Sequence, residues 1–276
     1  MIRACVIGWP IEHSRSPLIH GHWLKVYGIE GSYTKVAVNP DNAADFLRKL
    51  GENGLAGCNV TVPLKEVAFS VADQREDSAL AVGAANTIWL ESGKICAANT
   101  DTYGFMTHLD TAAPGWQENR RPVAILGAGG AARAIAHGFQ QAGLNDVVIL
   151  NRTCERAEAL VADLGEGLGV ADWSERTRCA DWASVVVNTT TIGMKGVGEL
   201  GIEFTNAHPD CIVADIVYVP LETRLLHDAR VHGLKTVDGL GMLLHQAVPG
   251  FERWFGVRPE VTPQLRQIIL DDLEVA

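Results

Sequence analysis

The chain has 276 residues, 20% of them charged, and a formal net charge of −10. This length can accommodate two ordinary domains with buried cores, whereas the acidic charge and the lack of a Lys/Arg cluster exclude a nucleic-acid partner of the usual kind. No run is long and apolar enough for a membrane span, the N-terminus lacks a signal-peptide pattern, and no Cys or His spacing suits a metal, so we expect a cytoplasmic, soluble protein with reduced cysteines and no metal site.

Residues 2 to about 102 alternate short β-type runs with helical stretches, which is typical of an α/β layer. The predicted strands are ACVIG, SYTKVAV, GCNVTV and AANTIWL, and the predicted helices are PLIHGHWLKVYG and NAADFLRKLGENG. The polar, turn-rich stretch from Thr111 to Pro122 suits a surface connection, and we expect the domain crossover near it.

The second part of the chain begins with RPVAILGAGG, AARAIAHGFQQAG and NDVVILNRT. These runs predict a strand, a helix and a second, parallel strand. ASVVVNTT and CIVADIVY add further strands, whereas the tail helices MLLHQAVPGFERWFG and TPQLRQIILDDL add none. We therefore predict an α/β fold with a ligand cleft between an N-terminal α/β substrate domain (1–103 and 240–276) and a Rossmann-type domain (104–239).

A glycine-rich turn follows the first strand of the second domain. Gly127 permits a tight turn, Gly129 lets the backbone approach a pyrophosphate, and Ala132 is small enough for close helix packing. A purely structural turn is the alternative. The position between a strand and a helix favours dinucleotide binding at the helix N-terminus.

The next strand indicates which dinucleotide binds. NAD-binding domains usually place Asp or Glu about 20 residues beyond the glycines, whereas here the strand ends in Asn151, Arg152 and Thr153, and Arg156 follows. The two arginines could hold the 2′-phosphate of NADP with charge-assisted hydrogen bonds. Two solvated arginines at a helix start are the alternative, and we favour NADP.

Polar residues also cluster after strands of the first domain. Ser14 and Ser16 could bind a carboxylate, although Ser16 could equally cap a helix that begins at Pro17. In CNVTVPLK, Val60 and Val62 are expected on one face of a strand and Asn59 and Thr61 on the other.

Lys65 follows that strand and could serve as a general acid or base for a substrate hydroxyl. Most lysines carry only surface charge, so this residue alone is weak evidence. Asn86 and Asp101 end two further strands; Asp101 could hold Lys65 or cap a helix near Tyr103.

The chain also resembles the shikimate dehydrogenase family in segments that follow the family's order and span nearly its whole length. These segments are GWPIEHSRSP, GCNVTVPLKE, GAANT, ANTDTYGF, GAGGAARA, NRTCERA, NTTTIGM, DIVYVPLETRLL and DGLGMLLHQA. The resemblance implies the reversible NADPH-dependent reduction of 3-dehydroshikimate to shikimate, in the pathway to chorismate and the aromatic amino acids.

The resemblance also implies roles for individual residues. Lys65 would transfer the proton with Asp101 as its partner. The substrate would be bound by Ser14, Ser16, Thr61, Lys65, Asn86, Asp101, Tyr218 and Gln246. The cofactor would be bound by Asp77, Gly127, Ala128, Gly129, Gly130, Ala131, Asn151, Arg152, Thr153, Cys154, Glu155, Arg156, Ile216 and Gly239.

Two alternatives remain open. A quinate/shikimate dehydrogenase that uses NAD is disfavoured by Arg152, Arg156 and the small hydroxyl of Ser16, where a bulkier threonine would be expected. A non-catalytic regulator that binds NADP or shikimate should lack Lys65 or Asp101, and this chain has both. The sequence leaves the oligomeric state open, and a homodimer is one of the options.

Overall fold

A computed structural model of the chain, which describes residues 1–275, contains two six-stranded sheets. The chain divides into two units: unit 1 comprises Met1–Asp101 and the chain from Leu244 onward, and unit 2 comprises Thr102–Leu243. No helix among the described residues is long and apolar enough to cross a membrane. The assignment of a substrate domain and a cofactor domain to these units stays a prediction.

The strands of unit 1 form a mixed sheet in the order β2-β1-β3-β5-β6-β4. Its strands are β1 (Ile2–Gly8), β2 (Gly31–Ala37), β3 (Gly57–Val60), β4 (Gln74–Arg75), β5 (Thr87–Glu91) and β6 (Lys94–Ala98). The helices of this unit are α1 (Ser16–Val26), α2 (Pro40–Arg48), α3 (Lys65–Val71), α4 (Asp77–Val82), α11 (Val248–Phe255) and α12 (Pro263–Val275). β1 pairs in parallel with β2 and β3, as expected of an α/β layer.

β5 runs antiparallel to its two neighbours in this sheet, which the sequence pattern did not predict, whereas the edge strand β4 pairs in parallel with β6. β5 pairs antiparallel with both β3 and β6. Ser92 and Gly93, both with positive φ, form the tight turn between β5 and β6. A Ser-Gly pair between two apolar runs is a hairpin signal, so the sequence did contain the information.

One face assignment in unit 1 was wrong. β3 ends at Val60, which is buried, whereas Val62 is 69% exposed and lies outside the strand. Val62 therefore does not share the face of Val60. Pro63 has no N–H group to continue a strand ladder, so the chain turns here and Lys65 begins the next helix.

Unit 2 contains an entirely parallel sheet in the order β12-β11-β10-β7-β8-β9. Its strands are β7 (Val123–Leu126), β8 (Val147–Leu150), β9 (Leu168–Ala171), β10 (Val185–Asn188), β11 (Ile212–Asp215) and β12 (Lys235–Val237). Its helices are α5 (Asp101–Ala112), α6 (Gly130–Gln141), α7 (Cys154–Leu164), α8 (Cys179–Trp182), α9 (Arg224–Val231) and α10 (Gly239–His245). The first residue of α5 and the last two residues of α10 belong to unit 1. This strand order is the doubly wound Rossmann order.

The burial of both faces explains why the strands of unit 2 read as continuous apolar runs. All residues of β7 and β10 are buried, between one helical layer that includes Ala132 and Phe139 and another that includes Leu225. Ligands bind such sheets at the carboxyl ends of neighbouring strands whose connections leave in opposite directions. β7 and β10 are such a pair.

The stretch from Thr111 to Pro122 is not the crossover between the units. α5 continues to Ala112, and Trp116 is buried against Phe139 with the ring centroids 5.4 Å apart. This packing places the whole stretch in unit 2, and the chain enters that unit at Thr102.

The C-terminal helices belong to unit 1, as expected. On α11, the Trp254 indole donates a hydrogen bond to the Ile88 carbonyl oxygen at 3.0 Å. On α12, Asp272 forms an ion pair with Arg15, with the Arg15 Nε 2.9 Å from the Asp272 Oδ2.

Candidate active site

Lys65 and Asp101 form an ion pair in unit 1. Lys65 is the first residue of α3, Asp101 is the first residue of α5, and the Lys65 Nζ lies 2.7 Å from the Asp101 Oδ2. The two side chains are 29% and 14% exposed, so the pair is sheltered and still open to a small molecule. The structure thus brings together the two residues predicted to transfer a proton.

Asn86 occupies the second oxygen of the Asp101 carboxylate. Its Nδ2 donates to the Asp101 Oδ1 at 2.8 Å. Its own Oδ1 accepts from the Thr100 N–H at 2.8 Å, and the Thr100 and Thr87 hydroxyls lie at 3.1 and 3.0 Å. Because several donors converge on its oxygen, the orientation of the Asn86 amide is fixed, and so is the carboxylate that it contacts.

Gln246 joins the same network from the C-terminal part of unit 1. Its Oε1 accepts from the Thr100 hydroxyl at 3.4 Å. The sequence pattern placed Gln246 on the helix of Met242, whereas α10 ends at His245 and Gln246 lies in the turn before α11.

Ser14 and Ser16 lie side by side at the start of α1. Their hydroxyl oxygens are 3.3 Å apart, and the Ser16 N–H donates to the Ser14 Oγ at 3.4 Å. Ser16 is the first helical residue, Arg15 holds the capping position, and no side chain caps this helix. Ser16 therefore does not occupy the capping position, and the carboxylate interpretation of the two serines stays a prediction.

Thr61 lies directly after β3, against Gly8 of the neighbouring strand. A Cβ at Gly8 would approach the Thr61 Cγ2 to 2.6 Å, so Gly8 makes room for this threonine. The Thr61 carbonyl oxygen accepts from the Leu64 N–H at 2.9 Å and closes the turn that leads into Lys65.

The glycine-rich turn of unit 2 follows β7 and opens α6. Gly127 has φ +112°, and a Cβ there would lie 2.6 Å from the Thr189 Oγ1. Cβ atoms built at Gly129 and Gly130 would meet nothing within 4 Å. The turn therefore packs tightly against Thr189 at Gly127, whereas Gly129 and Gly130 face open space.

This open side fits a dinucleotide pyrophosphate. The first N–H groups of α6 have no partner within the helix, and they carry its positive dipole end. Ala128 and Ala131 complete the loop, and Ala132 is fully buried against the sheet, which gives the close packing expected at the third glycine position. The residues present thus provide the cradle that the group requires.

The second predicted cofactor segment follows β8. The Asn151 Nδ2 donates to the Thr153 carbonyl oxygen at 2.7 Å, and α7 begins at Cys154. Thr153, Cys154, Glu155 and both arginines, Arg152 and Arg156, are exposed. A phosphate could reach the two guanidinium groups without displacing a core residue.

Ile216 and Gly239 also come together in unit 2. A Cβ at Gly239 would approach the Ile216 carbonyl oxygen to 2.3 Å, so only glycine fits at this position. Tyr218 lies half-buried on the same loop after β11. Asp77 is the exception among the predicted cofactor residues, because it lies exposed at the start of α4 in unit 1.

Asp215, at the end of β11, was missed by sequence reasoning. It is 2% exposed and accepts from the Asn188 Nδ2 at 2.9 Å, the Val217 N–H at 3.0 Å and the Thr223 hydroxyl at 2.7 Å. Burial raises the pKa of Asp215 to about 6, although these three hydrogen bonds act in the opposite direction. A lone acidic residue within the apolar run CIVADIV was the available signal, because unpaired buried charges are rare.

A Rossmann sheet with a glycine cradle, together with a sheltered Lys–Asp pair, defines the class of dinucleotide-dependent dehydrogenases. Profiles described as "Shikimate dehydrogenase substrate binding domain", "Shikimate / quinate 5-dehydrogenase" and "Shikimate 5'-dehydrogenase C-terminal domain" match residues 6–88, 111–215 and 239–267.

Curated relatives match almost the whole chain. A shikimate dehydrogenase (NADP(+)) of Brucella canis is 51% identical and covers 99% of this chain and 96% of its own length. That of Azorhizobium caulinodans is 51% identical, with 99% and 97% covered. The chain belongs to the shikimate dehydrogenase family.

Solved structures share the fold. Shikimate 5-dehydrogenase from Thermus thermophilus, in complex with NADP(H) and shikimate, superposes with a TM-score of 0.87 at 32% identity, and 98% of this chain and 99% of that chain are covered. Quinate dehydrogenase from Corynebacterium glutamicum, in complex with NAD, gives 0.89 at 27% identity, with 98% and 99% covered. Since the two TM-scores are similar, the fold alone does not separate these activities.

Proposed function

We propose that this protein is an NADP-dependent shikimate dehydrogenase, which reversibly reduces 3-dehydroshikimate to shikimate. The observation that carries the proposal is the Lys65–Asp101 pair, held at 2.7 Å beside Asn86, in a chain 51% identical to named NADP-dependent relatives. In this proposal unit 1 binds the substrate and unit 2 binds the cofactor.

Lys65 would move the proton. When the ketone is reduced, the Lys65 ammonium donates a proton to the carbonyl oxygen, and in the reverse direction the neutral amine accepts the hydroxyl proton. Asp101 would keep the amine in place through its Oδ2. Because the Lys65 side chain is 29% exposed, water can return the proton to it after each turnover.

The other polar groups of unit 1 would orient the substrate. Ser14 and Ser16 would bind its carboxylate, and Thr61, Asn86 and Gln246 its hydroxyls. Asn86 suits this role because protein donors saturate its oxygen and fix its amide, which would leave its second Nδ2–H group for a substrate hydroxyl.

NADPH, when bound, supplies the hydride that reduces the ketone carbon. The residues that would hold it are the loop from Gly127 to Ala131, the segment from Asn151 to Arg156, and Ile216 and Gly239. Arg152 and Arg156 would select NADP over NAD by pairing with the 2′-phosphate. Asp77 remains a weaker candidate.

The test is absorbance at the nicotinamide band with purified enzyme, crossing NADP and NAD with shikimate and quinate. Rapid reduction of NADP with shikimate alone is the expected result. A preference for NAD would contradict the proposed arginine clamp, and a preference for quinate would contradict the proposed substrate. No turnover with any pair would indicate a protein that binds these ligands without catalysis.

We propose in addition a cytoplasmic location, in keeping with a biosynthetic enzyme.

A homodimer is compatible with the sequence, and light scattering on the purified protein would determine whether one forms.

A further inference from the structure

A set of buried polar side chains extends from Ser16 into the core of unit 1, and three of its four members have no role in the proposed function. It consists of Ser16, His20, Tyr33 and Asn59, and we call it the Tyr33 link. Tyr33 is on β2, Asn59 on β3, and Ser16 and His20 lie one helical turn apart on α1. All four side chains are buried.

The Tyr33 hydroxyl is the centre of this link. It donates to the Asn59 Oδ1 at 2.6 Å. Burial raises the pKa of Tyr33 well above its usual value, whereas hydrogen bonds from the Ser16 side chain and the Asn59 backbone act in the opposite direction. The phenol therefore stays protonated and a donor at any pH at which the enzyme works.

Asn59 continues the link to the Lys65–Asp101 pair. Its Nδ2 donates to the Asn86 carbonyl oxygen at 3.1 Å and to the Thr87 hydroxyl at 3.2 Å. Asn86 in turn holds the Asp101 carboxylate. Since both donors and the oxygen of the Asn59 amide have protein partners, this side chain is committed to the connection and cannot rotate freely.

The His20 ring fixes the plane of Tyr33. The two rings stack with their centroids 3.9 Å apart and 11° between their planes. Trp23 and Phe251 close the other sides of the histidine, at 5.6 and 5.8 Å. Burial lowers the pKa of His20 to about 3, so the ring is uncharged near neutral pH and serves as a flat packing surface.

We infer that Tyr33 is a positioning residue that connects the carboxylate-binding serines to the Lys65–Asp101–Asn86 network. Its hydroxyl holds Asn59 at 2.6 Å, and Asn59 is bound to the Asn86 carbonyl oxygen at 3.1 Å. Together with the interaction with Ser16, this contact would set how far the substrate carboxylate lies from the proton-transferring amine. The inference rests on the proposed function. It adds a residue, Tyr33, that contacts neither substrate nor cofactor and acts through two buried neighbours, Ser16 and Asn59.

The alternative is that Tyr33 is only a core residue, and Tyr33→Phe separates the two interpretations because it removes a single oxygen atom. We expect the KM for shikimate to rise by about 10-fold, with a smaller change in kcat and an unchanged Kd for NADP. Tyr27→Phe is the matched control. The Tyr27 hydroxyl accepts from the Glu260 N–H at 3.1 Å in the same unit, and its loss should leave the kinetics unchanged.

A double-mutant cycle with Ser16→Ala tests the connection itself. If Tyr33 acts through Ser16, Tyr33→Phe should change the KM much less in the Ser16→Ala background than in the wild type. Additive effects of the two substitutions, or wild-type kinetics of Tyr33→Phe, would overturn the inference. Thermal unfolding of all variants establishes that they are folded.

Calorimetric titration of shikimate into the same variants keeps this test separate from that of the proposed function. Binding without turnover would refute the dehydrogenase while still reporting whether Tyr33 and Ser16 are coupled. Failure of the wild type to bind shikimate would refute both.

Discussion

The candidate residues of unit 1 and those of unit 2 are held in opposite ways. In unit 1, the Lys65–Asp101 pair is held by Asn86, and donors from the protein already satisfy Asn86. In unit 2, the glycine loop faces open space and the arginines Arg152 and Arg156 are exposed.

This difference corresponds to two tasks. Proton transfer requires groups that are already oriented, because reorganisation during the reaction adds to the barrier. Cofactor binding requires unpaired N–H groups and charges that remain hydrated until the ligand arrives. We therefore expect substitutions in unit 1 to change catalysis, and substitutions in the cofactor loops to change affinity without changing stability.

The largest expected effect is that of Lys65→Ala. We expect kcat to fall by about 10²- to 10⁴-fold, because the proton donor is lost, while the Kd for NADP is unchanged. Lys94→Ala, which removes an exposed lysine of the same unit, is the control. Steady-state kinetics measure kcat, and a titration with NADP measures the Kd. Full activity of Lys65→Ala would show that Lys65 is not the proton-transferring residue.

Asp215 tests the comparison from within unit 2, because it is the one buried carboxylate found there among the described residues. With its pKa raised from 3.8 to about 6, the folded state keeps a proton between these pH values that the unfolded state has released. The stability that this group contributes is therefore present at low pH and lost as the pH rises through 6.

Asp215→Asn removes this titration. From pH 4 to pH 7 its free energy of unfolding should gain about 2 to 3 kcal/mol relative to the wild type, as measured by urea denaturation at each pH. Asp163→Asn, at a carboxylate that is 61% exposed and paired with Arg133, should show a change below about 1 kcal/mol. Parallel pH profiles of wild type and Asp215→Asn would contradict the argument.

The arginine pair is expected to act on affinity alone. The double variant Arg152→Ala/Arg156→Ala should raise the Kd for NADP by about 10- to 100-fold and leave that for NAD unchanged, because only NADP carries the 2′-phosphate. The melting temperature should not change, since both residues are exposed. Arg120→Ala, at another exposed arginine of unit 2, serves as the control, and equal losses for both cofactors would contradict the clamp.

Gly129→Ala should have the smallest effect of the series. The added methyl group meets no protein atom within 4 Å, so stability should be retained. It would intrude on the space of a pyrophosphate, and we expect NADP binding to weaken by about 10-fold. Gly21→Ala, at a helical glycine that is equally open, controls for the change in backbone entropy. An unchanged Kd for NADP would show that the pyrophosphate does not bind at this loop.

The local sequence pattern predicted what depends on neighbouring residues. The parallel strands of unit 2, the glycine turn before α6 and the arginines after β8 each lie within one strand–turn–helix segment, and all were found as predicted. The Lys65–Asp101 contact also agreed with the prediction, although it joins residues 36 positions apart and was one of two open interpretations.

The face of Val62 and the hairpin at Ser92 and Gly93 were local errors, whereas the remaining errors arose where distant parts of the chain meet. The bond from Thr100 to Gln246 spans 146 positions, so no local pattern could place Gln246 in this network. Trp116 lies in a turn-rich stretch that reads as a linker, and only its burial against Phe139 shows otherwise. Asp215 does lie in the predicted strand, but its buried hydrogen bonds were missed because its partners, Asn188 and Thr223, come from two other segments.

The way Asn86 is held also affects how the enzyme ages. Deamidation of an asparagine requires its side-chain carbonyl carbon to be attacked by the backbone nitrogen of the next residue, which demands a flexible chain. Asn86 is 3% exposed, its N–H donates to the Ala98 carbonyl oxygen at 3.1 Å, and Thr87 is paired in the β5–β6 hairpin. The contacts that orient this amide should thus also protect it from conversion to aspartate, which would set one carboxylate against another at Asp101.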